Sequence, residues 1–333
     1  MAEAKFLVVR LGSLGDIVHA FPAVSALRES FPRAEIIWTT HPKWEALVRA
    51  SQLATKIWTV DTRNWTSLRG ILDSIRRHRL DVAIDYQGLW KSASIPFLAR
   101  VPKRIGFSSE TVREAGVPLL YTDRVPVNPA SHVSSQNGEL SVRAGAKAGT
   151  GAVGLQIQTE DETSVKKTLQ SQGIGEYVVL SPGGGWRSKC WPVERFGKLA
   201  VRILDELNLR CVINAGPGEN DLVQTVRANA GAAEPASYSG TLGELMALLK
   251  NASAVIAGDT GPLHLADALG APVVAIFGPT DPARNGPYCH SGVVLRWEGA
   301  LTTHKRASEP DESLLHISVD EVMSALRGLR EAA

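Results

Sequence analysis

Gly258-Asp259-Thr260-Gly261-Pro262, with His264 two residues further on, stands between an apolar run, Val255 to Ala257, and a stretch of helical spacing that ends at Leu269. Gly258 and Asp259 close a buried strand, and Pro262 falls early in the first helical turn, where a missing N–H costs least. Val273 to Phe277 is a second buried strand, so the stretch reads as a βαβ unit. The start of its helix presents unpaired N–H groups at a positive dipole end, suited to a phosphate. The small Thr260 and Gly261 let such a group approach the backbone closely. Asp259, at the carboxyl end of a strand, sits where open α/β sheets bind ligands. An ordinary helix start capped by Asp or Thr fits the same residues.

Three further stretches have the same strand, polar turn, helix layout. Gly12-Ser13-Leu14-Gly15-Asp16 follows the run Phe6 to Arg10; its glycines allow a sharp turn and close backbone approach, although it is neither a Walker A loop nor GxGxxG. Asp16 could be a base or a helix cap, and His19 could be a base or a packed residue that supports the turn. Ser181-Pro-Gly-Gly-Gly185 leads to Lys189-Cys-Trp191-Pro192, where an ammonium could offset charge on a phosphate leaving group. Asn214-Ala-Gly-Pro-Gly-Glu219 again ends a strand. In the first half, Asp85-Tyr-Gln87-Gly-Leu-Trp90-Lys91 ends another, so that Asp85 and Gln87 could orient hydroxyl groups.

The elements that carry these turns alternate. Apolar strands near 6–10, 34–40, 56–60, 80–85 and 105–107 are separated by helical stretches, and a second series starts at Tyr177. Alternation of this kind implies parallel sheets covered on both faces. Pro22 would break a helix interior, so the regular helix after Asp16 begins near His19 to Phe21. Residues 128 to 176 are weakly patterned and hold the hinge between two domains. The 333 residues, 44% hydrophobic and 21% charged, suit two ordinary globular domains. No run is long enough for a transmembrane helix, and no cleavable signal pattern opens the chain. Cys190, Cys211 and Cys289 are few and scattered, which suggests a reducing compartment and no zinc cluster. Residues 1–150 hold 20 Lys and Arg against 13 Asp and Glu, a balance of +7, while the remainder holds 16 against 21, a balance of −5. The basic half is expected to meet an anionic partner.

Asp259-Thr-Gly-Pro with His264-Leu-Ala and Phe277-Gly-Pro-Thr-Asp-Pro282 resembles the nucleotide-sugar motif of the bacterial heptosyltransferases, glycosyltransferase family 9. Residues 10–16 fit that family's R/K-x-x-S/G-x-G-D, 181–192 its glycine-rich stretch ending in K-x-W-P, and 85–92 the D-x-Q-G-L-x-K-S segment of its heptosyltransferase I members. Trp90 departs from the aliphatic residue usual at that position, as Ala115 does from a frequent Pro, and 38–66 and 296–316 follow no familiar pattern.

The resemblance implies a GT-B fold: two doubly wound Rossmann-like domains facing a central cleft. Residues 1–155 would bind the acceptor and 156–317 the donor, with a C-terminal helix over 318–333 packing back on the first domain. It implies an inverting, metal-independent transferase with no cofactor, moving heptose from ADP-heptose to the Kdo of Kdo–lipid A. Asp16 would be the general base. Gly12, Ser13, Gly15, Lys189, Thr260, Gly261 and His264 would hold the diphosphate, with Glu219 on the ribose and Asp259 on the sugar. Backbone around Thr241 and Leu242 would meet the base. Arg63, Asp85, Gln87, Lys91 and Arg113 would bind the acceptor. The protein would be cytoplasmic, in peripheral contact with the inner membrane, and would bind no nucleic acid. A heptosyltransferase II, another core-sugar transferase, a nucleotide-sugar epimerase and a non-catalytic nucleotide-sugar-binding protein are the alternatives.

Overall fold

The structure, a computed structural model, describes residues 4–147, 153–288, 292–303 and 305–331; Cys289 lies outside the described residues. The chain divides into two compact units, Met1–Gln156 and Ile157–Ala333. In the first, β1 (Lys5–Val9), β2 (Glu35–Thr40), β3 (Lys56–Thr59), β4 (Val82–Asp85), β5 (Lys103–Phe107) and β6 (Asp123–Val125) form a parallel sheet in the order β3-β2-β1-β4-β5-β6. In the second, β7 (Tyr177–Ser181), β8 (Arg210–Asn214), β9 (Ala236–Tyr238), β10 (Ala254–Gly258), β11 (Val273–Phe277) and β12 (Val293–Arg296) repeat the arrangement as β12-β11-β10-β7-β8-β9.

Both are doubly wound orders, in which the winding reverses once and leaves a crevice outside the carboxyl ends of two strands. The reversal falls between β1 and β4 in one unit and between β7 and β10 in the other. Val9 pairs with Asp85, and Ala257 with Ser181, so the turns that follow those strands start side by side. The central strands are apolar without alternation because helices cover both faces: Leu7 to Val9, Val178 to Leu180 and Val255 to Ala257 are all fully buried. Burying each such side chain contributes about 1.5–3 kcal/mol, so the sheets fix the turns rigidly.

A short helix, Leu14–Val18, carries Asp16, and the regular helix Phe21–Ser30 then starts with Pro22 in its first turn. The stretch expected to be weakly patterned contains two helices, Val133–Arg143 and Thr159–Ser171. The C-terminal helix, Val319–Glu331, was expected on the first domain; its apolar residues Val322, Met323 and Leu326 are instead buried in the core of the second unit. Trp191 holds the chain just before it, donating from Nε1 to the Ile317 carbonyl at 2.9 Å, and Arg195 donates to the same oxygen at 2.6 Å. Among the described residues no helix is long and apolar enough to cross a membrane.

Candidate active site

In the first unit the turn after β1 is shaped around a carboxylate. Gly12 has φ +149°, and a Cβ there would lie 2.7 Å from Trp44 Nε1, so the turn needs glycine. Ser13 donates to Asp16 Oδ2 from both its backbone N–H and its Oγ, each at 2.9 Å. Arg10, buried at the end of β1, reaches the other oxygen with Nη2 at 2.6 Å and donates from Nη1 to the Tyr86 carbonyl. Burial pushes the Asp16 pKa up. The Arg10 guanidinium, the Ser13 hydrogen bonds and nearby His19 outweigh it, and the carboxyl titrates below the ordinary aspartate value. The side chain stays 45% exposed, so a ligand still has access to an ionised carboxylate held in one orientation. His19 itself is buried, edge-on to His132 with ring centroids 5.2 Å apart.

The turn after β4 is built around a second carboxylate. Asp85 is buried and accepts four hydrogen bonds from its own chain: Gln87 N–H at 2.9 Å, Gly88 N–H at 3.3 Å, Ser92 Oγ at 2.9 Å and Tyr121 Oη at 2.7 Å. Burial pushes its pKa up in spite of these donors. Asp85, expected at an acceptor hydroxyl, anchors the loop from within. Gln87 Oε1 likewise accepts from Leu11 N–H at 2.9 Å, tying this loop to the Gly12 turn. Arg63, Lys91 and Arg113 are exposed and follow β3, β4 and β5, all at the carboxyl edge of the first sheet.

In the second unit the turns after β7 and β10 meet through charge. Lys189 Nζ pairs with Asp259 Oδ2, the two side chains being 13% and 7% exposed, and His264 Nε2 lies 3.1 Å from Asp259 Oδ1. Burial pushes the Asp259 pKa up, but His264 and Lys189 overcome this and hold it far below the usual carboxylate range. Asp259 and Lys189, expected at sugar hydroxyls and at a diphosphate, engage each other. Thr260 begins the helix Gly261–Ala268, and its buried Oγ1 has no hydrogen-bond partner among the described residues. A buried hydroxyl left unpaired costs roughly 1–3 kcal/mol. Glu219 accepts from Gly216 N–H at 2.6 Å, and a Cβ on Gly183 would lie 2.1 Å from its Oε1, so two glycine turns cradle this carboxylate. Thr241 caps the helix Leu242–Lys250, Oγ1 accepting from Glu244 N–H at 3.1 Å, which leaves backbone rather than side chain to present.

Two residues of consequence were missed. Arg10 was read only as the end of a strand, although the R/K at the head of the family pattern marks it. Arg306, in a stretch with no familiar pattern, lies 4.8 Å from the Trp186 ring centroid, beside Lys189 at 4.3 Å.

Paired doubly wound units, one carrying a poised carboxylate and the other a phosphate-type helix start with a lysine, define a glycosyltransferase of GT-B fold. The sequence model of glycosyltransferase family 9 (heptosyltransferase) matches residues 68–313, and the chain belongs to that family. It is 24% identical over 347 residues to lipopolysaccharide heptosyltransferase 1 of Escherichia coli K12, covering 98% of this chain and 100% of that protein. The fold is shared with a family 9 glycosyltransferase from Veillonella parvula, at a TM-score of 0.86 and 21% identity over 100% of this chain and 99% of that one. It is shared as well with the E. coli ADP-heptose lps heptosyltransferase II, at 0.81 and 20% identity over 99% and 100%.

Proposed function

We propose that this enzyme moves a heptose from ADP-heptose to the Kdo of Kdo–lipid A in lipopolysaccharide inner-core assembly, with inversion and without a metal. The observation that carries this reading is the ionised Asp16, locked by Arg10 and Ser13 at the switch point of the first sheet yet open to solvent. The acceptor hydroxyl oxygen forms a bond to the anomeric carbon while Asp16 takes its proton. The bond from that carbon to the diphosphate breaks, and ADP leaves with the electron pair. Lys189, Thr260 Oγ1 and the N–H groups that open the helix at Gly261 stabilise the charge that appears there.

Glu219 takes the ribose hydroxyls, and the backbone at Thr241 and Leu242 meets the adenine. Gly12, Ser13 and Gly15 bind the diphosphate, and His264 holds Asp259 for the sugar. Arg63, Lys91 and Arg113 receive carboxylates and phosphates of the acceptor, in the half of the chain with charge +7. That half approaches the cytoplasmic face of the inner membrane peripherally, drawn by anionic lipid. The names of the relatives support both donor and pathway. The Gln87 to Ser92 segment favours Kdo–lipid A over an acceptor that already bears heptose.

The test is transfer of heptose from ADP-heptose to Kdo–lipid A and, separately, to heptosyl-Kdo–lipid A, each with and without chelator. Preferred, chelator-insensitive transfer to Kdo–lipid A supports the reading. Preference for the heptosylated acceptor makes this a heptosyltransferase II, and loss of activity in chelator removes metal independence.

A further inference from the structure

In the second unit the segment that follows β12 folds over the Lys189 loop. Thr303 N–H donates to the Pro279 carbonyl at 2.8 Å, Ser188 Oγ to the Lys305 carbonyl at 3.3 Å, and Asp311 N–H to the Ser188 carbonyl at 3.3 Å. These bonds deliver Arg306 to the indole of Trp186, its Cζ 4.8 Å from the ring centroid. The same ring has Lys189 Nζ at 4.3 Å. Two cations therefore converge on one aromatic side chain, next to the carboxyl end of β10.

The charges explain why the second one matters. Lys189 is already matched by Asp259, so the pair is close to neutral before any ligand arrives. A diphosphate seated at Thr260 and Gly261 brings more than one negative charge. Arg306 is exposed and pairs with no carboxylate among the described residues. Its guanidinium, resting on an indole face and only weakly hydrated there, is free to swing onto phosphate oxygens and bind them in bidentate fashion.

We propose that Arg306 is a second cation of the donor subsite, binding the β-phosphate of the nucleoside diphosphate and stabilising it as the leaving group. The inference rests on the reading of the donor as an ADP-sugar. A residue that only packs the loop onto Trp186 would act on every ligand alike, and this separates the two roles.

The experiment is calorimetric binding of ADP and of AMP to the full chain and to its Arg306→Gln and Arg306→Lys variants. Wild type binds ADP. Arg306→Gln weakens ADP by about tenfold, the size of one charge-assisted contact, and changes AMP by less than about twofold. Arg306→Lys recovers part of the ADP affinity. Unchanged ADP affinity in Arg306→Gln overturns the proposal, as does equal weakening of ADP and AMP, which marks a packing role. Failure of the wild type to bind ADP overturns the proposal together with the donor reading, and is distinguished because it precedes any substitution.

Discussion

Arg10 Nη2 lies 2.6 Å from Asp16 Oδ1, joining a buried guanidinium at the end of β1 to a carboxylate that remains half open to solvent. The pair gives Asp16 orientation at the expense of basicity, because the cation that fixes it also holds its pKa down. Ionisation at neutral pH follows, and in the proposed mechanism proton transfer is driven by the developing oxonium of the acceptor rather than by a strongly basic carboxylate.

Replacing Arg10 by Met should therefore change a pH profile as well as a rate. With Arg10 present, the acid limb of transfer that belongs to Asp16 lies below the ordinary aspartate value of 3.8. Without the guanidinium, burial dominates and the limb moves to higher pH, and the rate at neutral pH falls because the carboxylate loses its orientation. Rates measured from pH 4 to 8 check this, and Arg10→Lys should restore most of the profile. An unmoved acid limb would mean that Arg10 does not govern Asp16.

Lys189→Ala and Thr260→Val separate two kinds of loss. Removing Lys189 leaves Asp259 buried with only His264 beside it, so stability should fall by about 3 kcal/mol and ADP affinity with it. Thr260→Val removes a hydroxyl that has no partner among the described residues, so thermal unfolding should be unchanged or slightly delayed while ADP binding weakens about fivefold, the size of one neutral hydrogen bond. Calorimetry with and without ADP measures both effects. Loss of stability in Thr260→Val would show that the hydroxyl has an internal partner.

The buried carboxylates give opposite acid responses. Asp259 has a depressed folded pKa, so its contribution to stability is present above 3.8 and is lost as pH falls through the lower folded value. Asp85 has a raised folded pKa, so its ionised form costs stability as pH climbs above 3.8. Asp85→Asn keeps an acceptor for Gln87 and Gly88 and should unfold within about 1 kcal/mol of wild type at pH 7, with transfer nearly intact. Asp85→Ala orphans Tyr121 Oη and the Gln87 and Gly88 N–H groups and should lose about 3 kcal/mol. Urea unfolding at pH 7 distinguishes them; a large loss of transfer in a stable Asp85→Asn would return Asp85 to the acceptor site.

Gly183→Ala places a methyl group 2.1 Å from Glu219 Oε1. The carboxylate must move, so ADP binding should weaken about tenfold, the cost of one misplaced charged contact, while adenine, which has no ribose, is bound as before. Equal losses for both ligands would point to damage of the loop instead.

Much of this was legible in the chain. Strands buried on both faces are plain apolar runs, and turns that begin beside a switch point combine glycine with a charged residue, so β1, β7 and β10 and the turns after them could be read directly. The helix Val133–Arg143 could not. Its inner face is Ser134, Gln136, Asn137, Leu140 and Ser141, which show no apolar period because the face is held by hydrogen bonds. Asn137 Nδ2 donates to the His19 carbonyl at 3.0 Å and Ser141 Oγ to the Ala23 carbonyl at 2.6 Å. The internal hydrogen bonds of Asp85 were out of reach for a related reason: its donors Ser92 and Tyr121 are 7 and 36 residues away, and spacing along a chain does not reveal which polar group faces inward. Arg306 was out of reach because a bare stretch of tail becomes informative only when it is laid over Trp186.

The most direct test of the mechanism is heptosyl transfer by Asp16→Asn beside ADP binding by the same protein. The substitution keeps the shape and an acceptor for Ser13 but removes the proton acceptor, so transfer should fall by about 10²–10⁴-fold with ADP affinity close to wild type. Transfer that persists within a few-fold of wild type would contradict Asp16 as the base, and loss of ADP binding would place it in the donor site instead.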